Sequence, residues 1–192
     1  MGGAGILPVA IHKSKLYFLF GKENKYEKSA PGFSDFGGGT ERGETQLDTA
    51  IREGHEELSG FLSKEYIQKV IDKKGLFQID NKKYRTFILP IKYDESLVKY
   101  FNNNASLIHS KLHKHVFHKY RIFEKQEIKW IPVDELLNMK SEFRNFYSHI
   151  LSRLVSKQHE IISFIKKSNK HSKTKKTKQH KHKHNHSVKN ST

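Results

Sequence analysis

Between positions 37 and 60 the chain runs Gly37-Gly38-Gly39-Thr40-Glu41-Arg42-Gly43-Glu44, then Thr45-Gln46-Leu47-Asp48-Thr49-Ala50-Ile51, then Arg52-Glu53-Gly54-His55-Glu56-Glu57-Leu58-Ser59-Gly60. This stretch constrains the fold more than any other. Phe33–Phe36 reads as a short aromatic strand, and the glycines after it allow close backbone approach. Thr45 with Asp48 three residues on has the form of a capping box, so a helix starts there. Leu47, Ala50, Ile51 and Leu58 recur at helical spacing, and Gly60 suits the left-handed residue beyond the helix end. A strand, a glycine turn and a helix with one apolar side require a sheet for that side to pack on.

Glu53, Glu56 and Glu57 stand at i, i+3 and i+4 and therefore project from one helix face beside the apolar stripe. Each like-charge pair of this kind costs a helix roughly 0.2–0.5 kcal/mol even when exposed. In a cleft of lower dielectric the repulsion grows. A hard divalent cation removes it, and Mg²⁺ is the usual choice where a few carboxylates are completed by water and phosphate. Arg52 can orient one carboxylate through a forked hydrogen bond. The alternative is a solvated acidic face, which spacing alone does not separate from a metal site.

The same segment resembles the Nudix box, G-x5-E-x7-R-E-U-x-E-E-x-G-U with U aliphatic. Gly38, Glu44, Arg52, Glu53, Glu56 and Glu57 all fall at the required places. Three positions depart: Gly54 replaces an aliphatic residue, Ser59 the glycine, and Gly60 the last aliphatic residue. None of these touches a charged group. A mid-helix glycine costs about 0.8–1 kcal/mol against alanine, so something bulky from the sheet, such as an aromatic ring, is expected against Gly54.

The resemblance implies an α/β (α+β) fold, an α/β/α sandwich with a mixed β-sheet between helices. It implies a hydrolase that cleaves the diphosphate linkage of a nucleoside diphosphate joined to another group, with Mg²⁺ as cofactor and Mn²⁺ able to substitute. Carried over residue by residue, Glu53, Glu56 and Glu57 hold metal with the Gly37 or Gly38 carbonyl, and Glu53 or Glu56 acts as base. Arg52 orients a carboxylate. Gly38, Glu44 and Gly60 support the geometry. A further acid from a later loop is expected, with Glu124 preferred over Glu127. The substrate-binding residues are not legible.

Other elements follow from pattern. Ile6–Ile11 and Leu16–Phe20 form a hairpin. Leu76–Ile79 and Tyr84–Tyr93 are strand-like around the turn-prone Asp80-Asn81, and Ile128–Ile131 is a further strand. Pro132 and Asp134 open a short helix to Met139. Ser141 is placed to cap a last long helix carrying Phe143, Phe146, Tyr147, Ile150, Leu154, Ile161 and Ile165 on one side. The segment 94–120 is a helical insertion, its second half (Leu107–Tyr120) a basic amphipathic helix lying over a cleft. His109 and His113 within it have a spacing that can share a transition metal, although a solvated face is the simpler reading. His55 is expected to be exposed. Tyr17, Phe33, Phe36, Tyr84 and Phe87 could stack a base, but most are expected in the core together with Trp130.

The chain has 192 residues and a formal charge of +16. Lys166–Thr192 holds ten Lys and no acid, so the remaining 165 residues are only mildly basic. The domain is therefore residues 1–165. Residues 166–192, with Val188 as the one aliphatic residue, form a disordered Lys/His-rich tail. Such a tail binds polyanions by counterion release. It makes RNA a candidate partner and capped RNA a candidate substrate, beside small nucleotides and inositol polyphosphates; a solubilising or nuclear-targeting tail is the alternative. A non-catalytic RNA-binding protein on the same scaffold is the competing class, against which the intact glutamates argue. Absence of cysteine excludes disulfides and thiolate sites. No apolar run suffices to span a membrane, and the first residues lack the pattern of a secretory signal, so an intracellular location, cytoplasmic or nuclear, is expected.

Overall fold

The computed structural model describes residues 2–24, 31–120 and 122–169. The expected tail falls almost wholly outside them. Strands β1 (Gly3–His12) and β2 (Lys15–Glu23) form the expected hairpin, extended at both ends. Short strands β3 (Phe33–Ser34) and β4 (Phe36–Gly39) lead into helix α1 (Gln46–Glu57). Helix α2 (Lys64–Lys74) and strands β5 (Phe77–Asn81) and β6 (Tyr84–Pro90) follow. Then come α3 (Glu95–Lys111), α4 (Lys114–Tyr120) and β7 (Lys125–Pro132). Three short 3-10 turns precede α5 (Ser148–Ser156), and residues 158–169 form a last helix, α6.

The seven strands make one sheet in the order β3-β2-β1-β6-β5, with β4 paired to β1 and β7 to β2. β1 runs parallel to β6 and antiparallel to β2 and β4, so the sheet is mixed. Alternation along β1 divides its side chains between two cores. Ile6 and Ala10 join Ala50, Leu58, Ile67 and Phe101 on the face covered by α1, α2 and α3. Leu7 and Val9 join Ile150, Leu154, Ile161 and Ile165 on the face covered by α5 and α6. The result is the α/β/α sandwich expected from sequence. Among the described residues no helix is long and apolar enough to cross a membrane.

Four local expectations need correction. α2 is an element the sequence pattern above leaves out; Ser63 caps it, accepting from Tyr66 N, and Gly75 ends it at φ +80°. α3 starts at Glu95 because the Asp94 side chain caps Ser96 N, and its helix breaks at Leu112 before the short α4. His109 and His113 thus lie on opposite sides of that break. His109 sits near Asn24 and the Phe123 carbonyl, whereas His113 contacts His115, so the two rings face different partners. Finally, no continuous helix begins at Ser141. The backbone around Phe143 bridges to Phe33 and Arg144 N donates to the Phe33 carbonyl (3.1 Å), which holds residues 143–144 extended until α5 can start.

Candidate active site

α1 begins as its sequence requires. Thr45 N donates to Asp48 Oδ2 (3.0 Å) and Asp48 N to Thr45 Oγ1 (3.2 Å), closing the capping box. At the other end both Ser59 (φ +50°) and Gly60 (φ +79°) are left-handed, with Gly60 N bonded to His55 O at 3.0 Å. Ser59 therefore takes the left-handed turn at the box's glycine position, and Gly60 extends it. His55 is half-buried rather than exposed, its Nδ1 lying 3.1 Å from the Leu62 carbonyl.

The helix lies against the glycines of β4. A Cβ at Gly38 would overlap the Glu53 carboxylate, so the missing side chain makes room for the acid. At Gly54 the close neighbour is Ile6, whose Cγ1 would stand 3.1 Å from an added Cβ. An aliphatic side chain of β1, not an aromatic ring, fills that contact.

Arg52 organises the exposed half of the site. Its Nε and Nη2 fork onto Glu44 at 2.6 and 3.1 Å, and Nη2 also reaches the Gly39 carbonyl at 3.2 Å. Its Nη1 donates to Glu53 Oε1 (2.8 Å) and Glu56 Oε2 (3.3 Å), so two glutamates converge on one nitrogen. The forked bonds from Arg52, helped by the Glu41 backbone N–H, hold the Glu44 carboxyl down at about 2. Its acidic neighbours push the Arg52 guanidinium above its ordinary value, Glu44 foremost. Glu44 thus holds the residue that holds Glu53 and Glu56.

The buried half is different. Glu53 and Glu57 are 6% and 5% exposed, whereas the Glu56 side chain is 43% exposed. Glu57 Oε2 accepts from Gly37 N at 2.7 Å, and its Oε1 lies 3.1 Å from the ammonium of Lys125, which is fully buried. Lys125 also donates to Glu23 and to Ser34 Oγ (3.3 Å), and Arg144 Nη1 donates to Glu23 at 2.6 Å. Burial pushes the Glu57 carboxyl above the usual carboxylate range against the pull of Lys125. Lys125 is itself raised by Glu57 and Glu23 in spite of its own burial. Next to this cluster Asp35 accepts from Tyr84 Oη (2.8 Å) and Thr86 Oγ1 (2.7 Å), tying the β3–β4 segment to β6; burial raises it to about 6.

The structure thus brings Arg52, Glu44, Glu53, Glu56, Glu57, Gly37 and Gly38 together. Gly37 meets Glu57 through its N–H. Glu124 lies one residue before β7, and its carbonyl accepts from Asn24 N (2.9 Å). The side chain that reaches Glu57 from this strand start is that of Lys125. Glu127 pairs with Lys22 in register further along. Phe33, Phe36, Phe87 and Trp130 are core residues.

Lys125, Glu23, Arg144 and Asp35 escaped the sequence reading. The one available signal is Gly21, a glycine inside β2: a Cβ there would stand 2.8 Å from Lys125 Cγ, the close approach that a mid-strand glycine often marks.

Among the described residues no three acidic or histidine side chains are gathered ready to hold an ion. Arg52 and Lys125 stand among the carboxylates instead. The donor set nonetheless suits a hard cation. Glu44, Glu53 and Glu56 share one cation, Arg52, whereas Glu57 and Glu23 face Lys125 and Arg144. Two of those carboxylates already share one nitrogen as partner.

No family model matches the chain, and no curated protein matches it. Solved structures do. A Nudix hydrolase from M. smegmatis, RenU, is 14% identical with a TM-score of 0.52, over 84% of this chain and 88% of that one. A C. elegans Ap4A hydrolase in a binary complex is 17% identical with a TM-score of 0.49, over 84% and 96%. A mutT/nudix family protein from Listeria innocua is 15% identical with a TM-score of 0.47, over 84% and 96%. At such identities the M. smegmatis likeness is one of fold: the mixed sheet between helices is that of a Nudix hydrolase.

Proposed function

We propose that the chain is a divalent-metal-dependent pyrophosphohydrolase of Nudix type, cleaving the diphosphate linkage of a nucleoside diphosphate joined to another group. The observation that carries this is the convergence of Glu53 and Glu56 on Arg52 Nη1, beside a glycine whose missing side chain leaves room for the Glu53 carboxylate. When bound, a hard cation such as Mg²⁺ or Mn²⁺ reverses the local sign of the field, neutralises phosphate charge and eases loss of a proton from water. Glu53 and Glu56 would hold that cation, a narrower set than the resemblance implies, because Glu57 is engaged by Lys125 and Gly37 N. Glu53 or Glu56 takes the proton as water attacks phosphorus and the bridging P–O bond breaks. Arg52 keeps both carboxylates in place, and the ionised Glu44 keeps Arg52 in place. Glu57 stands at the back of the site on Lys125 and Gly37 N.

The substrate partner of the diphosphate is open among capped RNA, dinucleoside polyphosphates, nucleotide sugars, oxidised nucleoside triphosphates and inositol polyphosphates. The lysines of 166–192 favour an RNA substrate by charge. Turnover of this panel with Mg²⁺ and Mn²⁺, for wild type and Glu53→Gln, tests the reading. Metal-dependent release of a phosphate-bearing product, strongly slowed by Glu53→Gln, is expected. Equal turnover by folded Glu53→Gln would refute it. Deletion of Lys166–Thr192 separates substrates: loss of RNA turnover with small-nucleotide turnover unchanged assigns RNA. RNA binding with no turnover of any panel member, unaltered when Glu53, Glu56 and Glu57 are all changed to Gln, would favour a binding protein instead.

A further inference from the structure

Lys125 has no part in the chemistry just described, yet it is the most costly group in the site to bury. An ammonium has three N–H donors, and here they have three protein acceptors: Glu23, Glu57 Oε1 and Ser34 Oγ. None is left for a phosphate. The stem is fixed as well, since Gly21 of β2 provides the space its Cγ occupies. Glu57, in turn, has one oxygen on Lys125 and the other on Gly37 N. Both of its oxygens thus have partners from within the fold. Glu23 is doubly matched, by Lys125 and Arg144.

We propose that Lys125 is a built-in monovalent cation at the Glu57 end of the carboxylate cluster, so that the site takes one divalent cation per chain, at Glu53 and Glu56. The proposal rests on the metal-dependent reading above and deepens it. What carries it is where the partners stand: Glu23 and Glu57 face Lys125 and Arg144, whereas Glu44, Glu53 and Glu56 share Arg52. A second divalent ion at Glu57 would sit against a fixed, fully buried ammonium 3.1 Å from that carboxylate. Lys125 acts through Glu57 and does not touch the reacting atoms, so it is a positioning residue.

The test counts ions. Titration of the full chain with Mn²⁺, with free Mn²⁺ read by electron paramagnetic resonance, is expected to give one site for wild type. Lys125→Met is expected to give two. Lys125→Met combined with Glu57→Gln is expected to return to one, a reversal that a merely structural lysine would not produce. Circular dichroism checks that each variant is folded; Lys125→Gln, which keeps hydrogen bonding and removes the charge, replaces Lys125→Met if that variant does not fold. Two sites in wild type, or one site in a folded variant without the Lys125 charge, overturns the role of Lys125 and leaves the metal-dependent reading standing. No Mn²⁺ bound by wild type overturns that reading and the proposal with it.

Discussion

The two ends of the carboxylate cluster are built by opposite means. At the Arg52 end every partner is local: Glu44, Glu53 and Glu56 lie within eight residues of Arg52, and the geometry follows from one helix and the turn before it. At the Lys125 end the partners come from β2, β3, α1 and the turn before α5, up to 121 residues apart. The Arg52 end is partly solvated, with the Glu56 side chain 43% exposed. The Lys125 end is buried, and its side chains pair with one another. A row of glutamates on one helix is thus set in two environments, one partly solvated and paired with a local arginine, one buried and paired with distant residues.

The largest effect that would sharpen this contrast is catalytic. Glu53→Gln is expected to lower metal-dependent kcat by roughly 10²–10⁴, the usual contribution of a positioned acid–base group, as read by product release under saturating substrate. Next is stability at the closed end. Glu23→Gln leaves Lys125 and Arg144 short of a counter-charge, and breaking a buried pair from one side costs roughly 3–5 kcal/mol. Urea unfolding is expected to register a loss of that order. A loss under 1 kcal/mol would break the contrast, because it would mean that water reaches Lys125.

At the open end the expected change is one of titration. Because the folded Glu44 carboxyl is depressed to about 2, its contribution to stability is in place above the ordinary glutamate range and is lost as pH falls from about 4 to about 2. Arg52→Lys removes the fork. NMR titration of the Glu44 carboxyl carbon is then expected to move up towards the ordinary glutamate value. The smallest effect is at Gly54. Alanine there gains about 0.8–1 kcal/mol of helix propensity but meets Ile6 Cγ1 at 3.1 Å. The two are expected to offset to within about 1 kcal/mol in the same unfolding assay.

The division between local and distant partners also explains what the sequence discloses. The capping box, the carboxylate face and an arginine placed to orient one of its acids depend on neighbours along the chain, so they are legible; that Glu44 takes the fork is not. The mixed sheet is legible too, since the β1–β2 hairpin and the apolar runs of β6 and β7 carry strand periodicity. Lys125 is illegible because its burial comes from β2 pairing with β7, and a lysine beside Glu124 and Glu127 reads as surface. The supposed helix from Ser141 fails for the same reason: Phe143 and Arg144 use their backbone against β3, a partner over a hundred residues away. That detour is also what brings Arg144 to Glu23.

The central claim is that a cation belongs at the open end of this cluster. Crystals grown with Mn²⁺, with anomalous scattering recorded near the manganese edge, test it most directly. One peak is expected, within coordination distance of Glu53 and Glu56. An absent peak, with Arg52 still bridging both carboxylates, would contradict the claim.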